Sequence, residues 1–368
     1  MSSSDNQRLA ASVVMIGFEG TRPNESVREL IRAGAAGAIF MRRNVTTPAA
    51  TFALSTELRA IAGRPFLVSV DQEGGRVARL REGFTSLPSL RQIGQTKDPE
   101  TARQMGQILG RECRAVGFDL DFAPVVDVDS NPQNPVIGDR SFGPDPTECA
   151  RFGVAMILGL QQESIAACAK HFPGHGDTHL DSHLELPRVA HDLARLRAIE
   201  LPPFRAAVQS GVATLMTAHV VIDALDPELP ATLSSRTLPE LRAEIGFEGV
   251  MISDDLEMAA ISDRFSISEA AGRAVAAGCD LLLVCHRADR QWEAVEGLCR
   301  WAEKSAANHD RLRQASERVL RLAGKLAPSV AKSFEASALR RPDALAFAER
   351  FARDASHDPT ERPPPDAA

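Results

Sequence analysis

The 368-residue chain contains no tyrosine, which removes a phenol as nucleophile or acid from any mechanism it could run. No window approaches the roughly 18 uninterrupted apolar residues of a membrane span, so no membrane partner is expected. The N-terminal stretch MSSSDNQRLAASVVMIGFEG carries Asp5 and Arg8 and only a short apolar run. It lacks the basic start, long apolar middle and small-residue cleavage site of a secretory signal. Six cysteines (Cys113, Cys149, Cys168, Cys279, Cys285 and Cys299) form no CxxC pair, a pattern of buried reduced thiols rather than a disulfide framework. A cytoplasmic location is the expectation. No long Lys/Arg run occurs, and the formal net charge of −7 gives no overall pull toward nucleic acid or anionic lipid.

What is present is an alternation. Short β-like runs stand at 13–18, 37–41, 66–71, 118–128, 165–172, 214–222, 249–255 and 279–285, separated by amphipathic stretches such as VRELIRAGA and ETARQMGQILGRECRAVG. Strands alternating with helices imply a parallel sheet, and near-continuous apolar strands imply one covered on its faces. Several strands run into polar groups: DQEGGR after the third, KHFPGH after the fifth, AH in the sixth, SDD in the seventh. Polar groups at the C-terminal ends of many strands are what a (β/α)8 barrel provides. A doubly wound sheet would want GxGxxG after its first strand, and GFEGTRPNE lacks it. The fold expected is therefore α/β, a single-domain TIM-type (β/α)8 barrel over 1–330. Trp292, Val295, Leu298 and Trp301, then Leu312, Ala315, Val319, Leu322 and Leu326, fall at helical spacing as packing stripes. A helical extension is expected over 331–355, and the proline-rich 356–368 as a disordered tail. A monomer is expected.

The stretch KHFPGHGDTHLDSH sets His171, His175, His179 and His183 four residues apart, one helical face if the segment were helical. Pro173, Gly174 and Gly176 interrupt it, so it reads as a strand end, Lys170 and His171, followed by a mobile loop. Zinc wants three or four ligands on supported elements; with HExxH absent and the helical register broken, no metal is expected. Asp181 stands two residues before His183, on the same side of an extended segment, where a carboxylate could fix the imidazole tautomer for acid/base work. In GVMISDDLEM, Asp254 and Asp255 end an apolar strand at the barrel mouth. Either could serve chemistry, or Ser253 or Asp255 could cap the next helix; with two acids, Asp254 could face the pocket while Asp255 caps or orients. Asp71, Arg76 and Arg79 in VDQEGGRVARLREG and Arg140 in NPVIGDRSF add polar groups at barrel loops, with no phosphate-cradling GxxxxGK[ST]. Together they fit a multi-hydroxyl ligand such as a sugar.

Six segments, in order along roughly residues 10–330, resemble the β-N-acetylglucosaminidases of glycoside hydrolase family 3, single-domain bacterial enzymes that recycle cell-wall muropeptides. They are DQEGGRVARLREGFTSLP (71–88), DFAPVVDV (121–128), NPVIGDRSFGPDP (134–146), KHFPGHGDTHLDSHLELP (170–187), LMTAHVV (215–221) and GVMISDDLEM (249–258). The resemblance implies Asp254 as the nucleophile, His183 as general acid/base with Asp181 as its partner, and Asp71, Arg79, Arg140, Lys170 and His171 as sugar-binding positions. It implies no cofactor, and as partner an N-acetylglucosamine-containing saccharide or muropeptide. Larger β-glucosidases of the family take their acid/base from an added domain; the loop dyad here favours N-acetylglucosaminides instead. Three other readings stay open: a retaining phosphorylase, since a histidine acid/base carries no negative charge against phosphate; a metal-dependent barrel hydrolase using His171, His175 and His179; and a non-catalytic sugar-binding protein.

Overall fold

The structure is a computed structural model describing residues 3–178 and 186–352. Eight strands form a closed barrel: β1 (Val14–Ile16), β2 (Gly37–Phe40), β3 (Leu67–Val70), β4 (Leu120–Asp121), β5 (Ala166–Phe172), β6 (Thr214–Thr217), β7 (Val250–Asp255) and β8 (Leu281–Val284). Each pairs in parallel with its neighbours in sequence, and β1 closes on β8 in the register Val14–Leu282 to Ile16–Val284. This is the (β/α)8 architecture read from the alternation.

Side chains alternate across each strand. Met15, Ile39, Leu67, Leu120, Cys168, Met216, Ile252 and Leu283 form one buried cluster, the barrel interior. Their neighbours Val14, Ile16, Phe40, Val68, Ala167, Leu215, Met251 and Leu282 belong to a second, under the surrounding helices. The alternation explains why these strands are apolar throughout. Helix starts are equally local in origin. Asp98 and Asp145 accept backbone N–H groups at the starts of Pro99–Ala115 and Pro146–Gln162, and the proline of each helix occupies a first-turn position that needs no donor.

The helix Ala306–Leu326 bears on the site. Its Val319, Leu322, Ala323 and Leu326 join the interior cluster. Its Arg311 and Arg318 bond Asp280, at the N-terminal end of β8, at 3.0 and 3.2 Å. One end of the barrel is thereby stoppered, leaving the C-terminal ends of the strands as the rim of a pocket.

Every strand is trimmed at one or both ends relative to the sequence expectation, and two are much shorter. From the run 118–128 only Leu120–Asp121 pairs regularly; Pro124 has no N–H to give, and the chain rejoins β5 through a single bridge, Val125 to Lys170. The run 214–222 breaks after Thr217, and Val221–Ile222 joins a small sheet with Arg188–Val189 and Asp226–Pro230. Beyond the barrel, a helix at Pro342–Ala352 buries Ala344, Phe347 and Phe351. The expected tail over 356–368 lies outside the described residues. Five cysteines are buried, Cys299 is half-buried, and all six are unpaired. No described helix is long and apolar enough to cross a membrane.

Candidate active site

The C-terminal rim opens into a pocket lined by charged and polar side chains from several strand ends. Asp71 follows directly on β3, Lys170 and His171 end β5, and Asp254 and Asp255 end β7. Arg79 follows the hairpin Gln72–Gly74/Val77–Ala78, and Arg140 lies in the loop after β4. All of these line the pocket. Of the sequence-derived site residues, Asp71, Arg79, Arg140, Lys170, His171 and Asp254 are thus brought together; Asp181, His183 and His179 lie outside the described residues.

One wall is an ion cluster. Lys170 Nζ stands 2.7 Å from both Asp71 Oδ1 and Glu73 Oε1, and Arg140 grips Glu73 with two parallel bonds of 2.9 and 2.8 Å. Burial works against the charge on Glu73, but Arg140 and Lys170 outweigh it and hold its carboxyl below the usual range. Burial also works against Lys170 and Arg140, and the carboxylates raise both. Glu73, Lys170 and Arg140 are therefore charged at any ordinary pH. Asp71 keeps some exposure and turns its other oxygen toward Arg79 at 3.9 Å. Fixed charged donors beside a partly open carboxylate are suited to adjacent hydroxyls, to which they can donate and from which they can accept.

His171 is locked from behind. Asp127, fully buried, pairs with His171 Nδ1 at 2.7 Å and accepts the backbone N–H groups of His171 and His175 at 3.0 and 2.8 Å. Burial opposes the charge on Asp127, and His171 and His175 together more than offset it and hold its carboxyl below the ordinary value. These bonds assign the proton to Nδ1 and aim Nε2 at Arg140, 3.4 Å away. A guanidinium at that distance occupies the side a metal would need, against the His171/His175/His179 cation site. His175 is pushed down to about 4 by burial and by His171, so it is neutral, and its Nδ1 sits 2.9 Å from Thr178 Oγ1. The regular spacing of these histidines therefore has no helix beneath it up to residue 178: one ends a strand and the next sits in the following turn.

The two aspartates of β7 differ. Asp255 accepts the N–H groups of Glu257 and Cys285 at 3.1 and 3.2 Å and pairs with His286 Nε2 at 3.1 Å. Its carbonyl accepts from His219 Nε2 at 2.9 Å. Asp254 accepts the Asp255 N–H at 2.8 Å with Oδ1 and presents its carboxylate at the pocket surface. The helix-cap alternative is not realised: the next helix starts only at Ala259, with Met258 ahead of it, and Ser253 bonds Leu283 N instead. Arg76 turns aside to Asp139 at 2.8 Å and pins the loop bearing Arg140.

Sequence reasoning passed over Glu73, Asp127 and the role of His219. Asp127 could have been found, because an acid inside the apolar run FAPVVDV has to be partnered when buried. Glu73 carried a weaker signal: it stands two residues from Asp71, on the same side of an extended segment.

The chain leaves β5 toward the 179–185 segment through Gly176, where an added Cβ would lie 1.7 Å from Val128 O. Gly176→Ala must push these backbones apart. A loss of about 1–3 kcal/mol is expected, read as a lower midpoint in thermal unfolding together with reduced activity; an unchanged midpoint would show that the contact is not needed.

The sequence profile of the Glycosyl hydrolase family 3 N terminal domain matches residues 7–322. A Beta-hexosaminidase of Nitrosomonas eutropha is 39% identical over 307 residues, covering 81% of this chain and 87% of that one. The family 3 β-N-acetylglucosaminidase of Paenibacillus sp. FPU-7 superposes with a TM-score of 0.90 at 41% identity, over 94% of this chain and 68% of that one. NagZ from Neisseria gonorrhoeae in complex with N-trifluoroacetyl-D-glucosamine superposes with a TM-score of 0.71 at 33% identity, over 87% and 98%. With a barrel of this topology, a stoppered pocket and a match running through nearly all of it, the chain belongs to glycoside hydrolase family 3 and is a glycoside hydrolase.

Proposed function

We propose that this chain is an exo-acting, retaining β-N-acetylglucosaminidase. It removes terminal N-acetylglucosamine from N-acetylglucosaminyl-1,6-anhydro-N-acetylmuramyl peptides in cytoplasmic peptidoglycan recycling, and acts as a monomer. The β-hexosaminidase relatives and the glucosamine-derivative complex of a neighbour support the sugar, and a pocket closed at one end supports exo action.

The observation that carries the mechanism is how the pocket carboxylates are committed. Retaining hydrolysis needs a nucleophile and a separate acid/base. Glu73 is bound by two cations and held ionised, Asp71 is paired with Lys170, and Asp255 is bonded to two backbone N–H groups and His286. All three are committed to fixed partners. We read Asp254, which ends β7 at the pocket, as the nucleophile, and His183 with Asp181, from the 179–185 segment, as the acid/base. Asp254 attacks the anomeric carbon as His183 protonates the leaving oxygen; His183, now neutral, takes a proton from water, which displaces Asp254 and releases the sugar with net retention. Asp71, Arg79, Arg140, Lys170 and His171 hold the ring hydroxyls.

The test is release from an aryl β-N-acetylglucosaminide beside the matching β-glucoside, in phosphate-free buffer with chelator, followed by the muropeptide itself with mass detection of the freed sugar. Fast release from the first aryl substrate alone is expected, with β-N-acetylglucosamine as the first-formed anomer. Turnover only after phosphate or metal is added back would overturn hydrolysis as stated.

A further inference from the structure

The chain goes out from β5 and comes back in the strand Arg188–Val189, which pairs with Val221–Ile222. It then enters a continuous helical run over 193–209, whose residues Leu196–Glu200 form a widened π-turn. The outgoing stem is fastened to the loop after β4: Asn134 Nδ2 donates to His175 O at 2.8 Å, and Asn131 Nδ2 to Thr178 O at 3.3 Å. The two stems are also tied to each other. Asp177, on the way out, is gripped by His191 Nε2 and by Arg195 Nη2 at 3.2 Å, both on the way back. Arg195 Nη2 reaches on to Ser130 Oγ at 3.2 Å and Glu200 Oε1 at 3.4 Å.

Glu200 packs directly against the outgoing stem. A Cβ added at Gly174 would lie 2.8 Å from Glu200 Cβ. The acid is 2% exposed, and its Oε2 has no hydrogen-bond partner among the described residues. A buried acid is an expensive way to fill that space unless its charge or its bond to Arg195 is used. None of the four side chains lines the pocket, so direct contact with the sugar does not explain them.

We infer that Asp177, His191, Arg195 and Glu200 form a clasp of positioning residues that joins the two stems and so fixes where the segment carrying His183 delivers its imidazole. This rests on the reading of His183 as acid/base. Asp177 and His191 stand six and eight residues from His183 in the sequence, and tying the ends of a loop reduces the conformations open to what lies between them. Burial pushes Glu200 up to about 7, against the pull of Arg195, consistent with an acid held in place by packing.

The clasp makes a prediction that general damage would not mimic. An acid/base matters most where the leaving group is poor, and misplacing a catalytic group by about 1 Å can cost on the order of 100-fold. Asp177→Asn and His191→Gln should each lower kcat/KM by about 10- to 100-fold on an unactivated alkyl or glycosyl aglycone. On an aryl substrate with an acidic phenol the loss should be below about threefold, since protonation contributes little there. His183→Ala calibrates the scale. In Asp177→Asn/His183→Ala the first substitution should add no loss on the unactivated substrate, because the two act through one group. Equal losses on both substrates, no loss, or multiplicative losses in the double variant would overturn the clasp while a steep His183→Ala response left the acid/base assignment standing. A His183→Ala response independent of the leaving group would overturn both.

Discussion

Asp254→Asn should abolish turnover, with kcat falling by roughly four to six orders of magnitude, the scale on which removal of an attacking nucleophile is felt. The fold has little reason to suffer. The carboxylate stands at the pocket surface, and Asn retains the oxygen that accepts the Asp255 N–H at 2.8 Å. Asp255, by contrast, ties β7 to the turn after it and to Cys285 beyond β8, so its replacement should cost stability and activity together. The check is kcat on the aryl β-N-acetylglucosaminide with a thermal midpoint on the same sample. Asp254→Ala sharpens it: azide, filling the vacated space, should restore release of the activated aglycone and give a glycosyl azide of inverted configuration. Residual activity within about tenfold of wild type, on a scale where nucleophile loss costs orders of magnitude, would show that Asp254 is not the attacking group.

The barrel was legible because its two causes are local. Apolar runs at short spacing read directly as buried parallel strands, and every one of the eight was placed. Their lengths were not legible, because pairing depends on what a neighbour offers: FDLDFAPVVDV is apolar enough to be one long strand, yet Pro124 leaves only Leu120–Asp121 and one bridge paired. The site divides the same way. Lys170, Asp71 and Arg140 could be nominated singly as polar residues at strand ends and loops, but the sequence holds no record that Lys170 and Arg140 converge on Glu73, which is 67 residues from Arg140 in the chain. His219 was visible only as a polar break in TAHVVI. Its function, holding the Asp255 carbonyl while its Nδ1 meets Thr232 Oγ1 at 2.9 Å, exists only once β6 and β7 are side by side.

Glu73→Gln should produce the largest loss of stability, and the sequence alone would not have singled out this residue. In the folded protein its carboxylate neutralises two buried cations, Lys170 at 2.7 Å and Arg140 through paired bonds. Breaking a buried pair by removing one partner costs about 3–5 kcal/mol, because the other charge stays desolvated without compensation; the thermal midpoint should fall by roughly 10 °C. The pH dependence has a definite sign. The folded-state pKa of Glu73 is depressed, so its contribution is present above the unfolded-state value and is lost as pH falls through the folded one. The gap between wild type and variant should therefore hold from neutral pH down to the unfolded-state carboxylate value, narrow progressively below it, and close only in strong acid. Activity should fall as well, since Lys170 would then be held by Asp71 alone and Arg140 would be drawn from its present position, raising KM. The double variant Glu73→Gln/Lys170→Met separates charge balance from packing: removing one cation along with the carboxylate should recover part of the lost stability but none of the substrate affinity. A midpoint unmoved by Glu73→Gln would mean that water, rather than the carboxylate, compensates these cations, and the ion cluster would lose its place as the rigid wall of the sugar site.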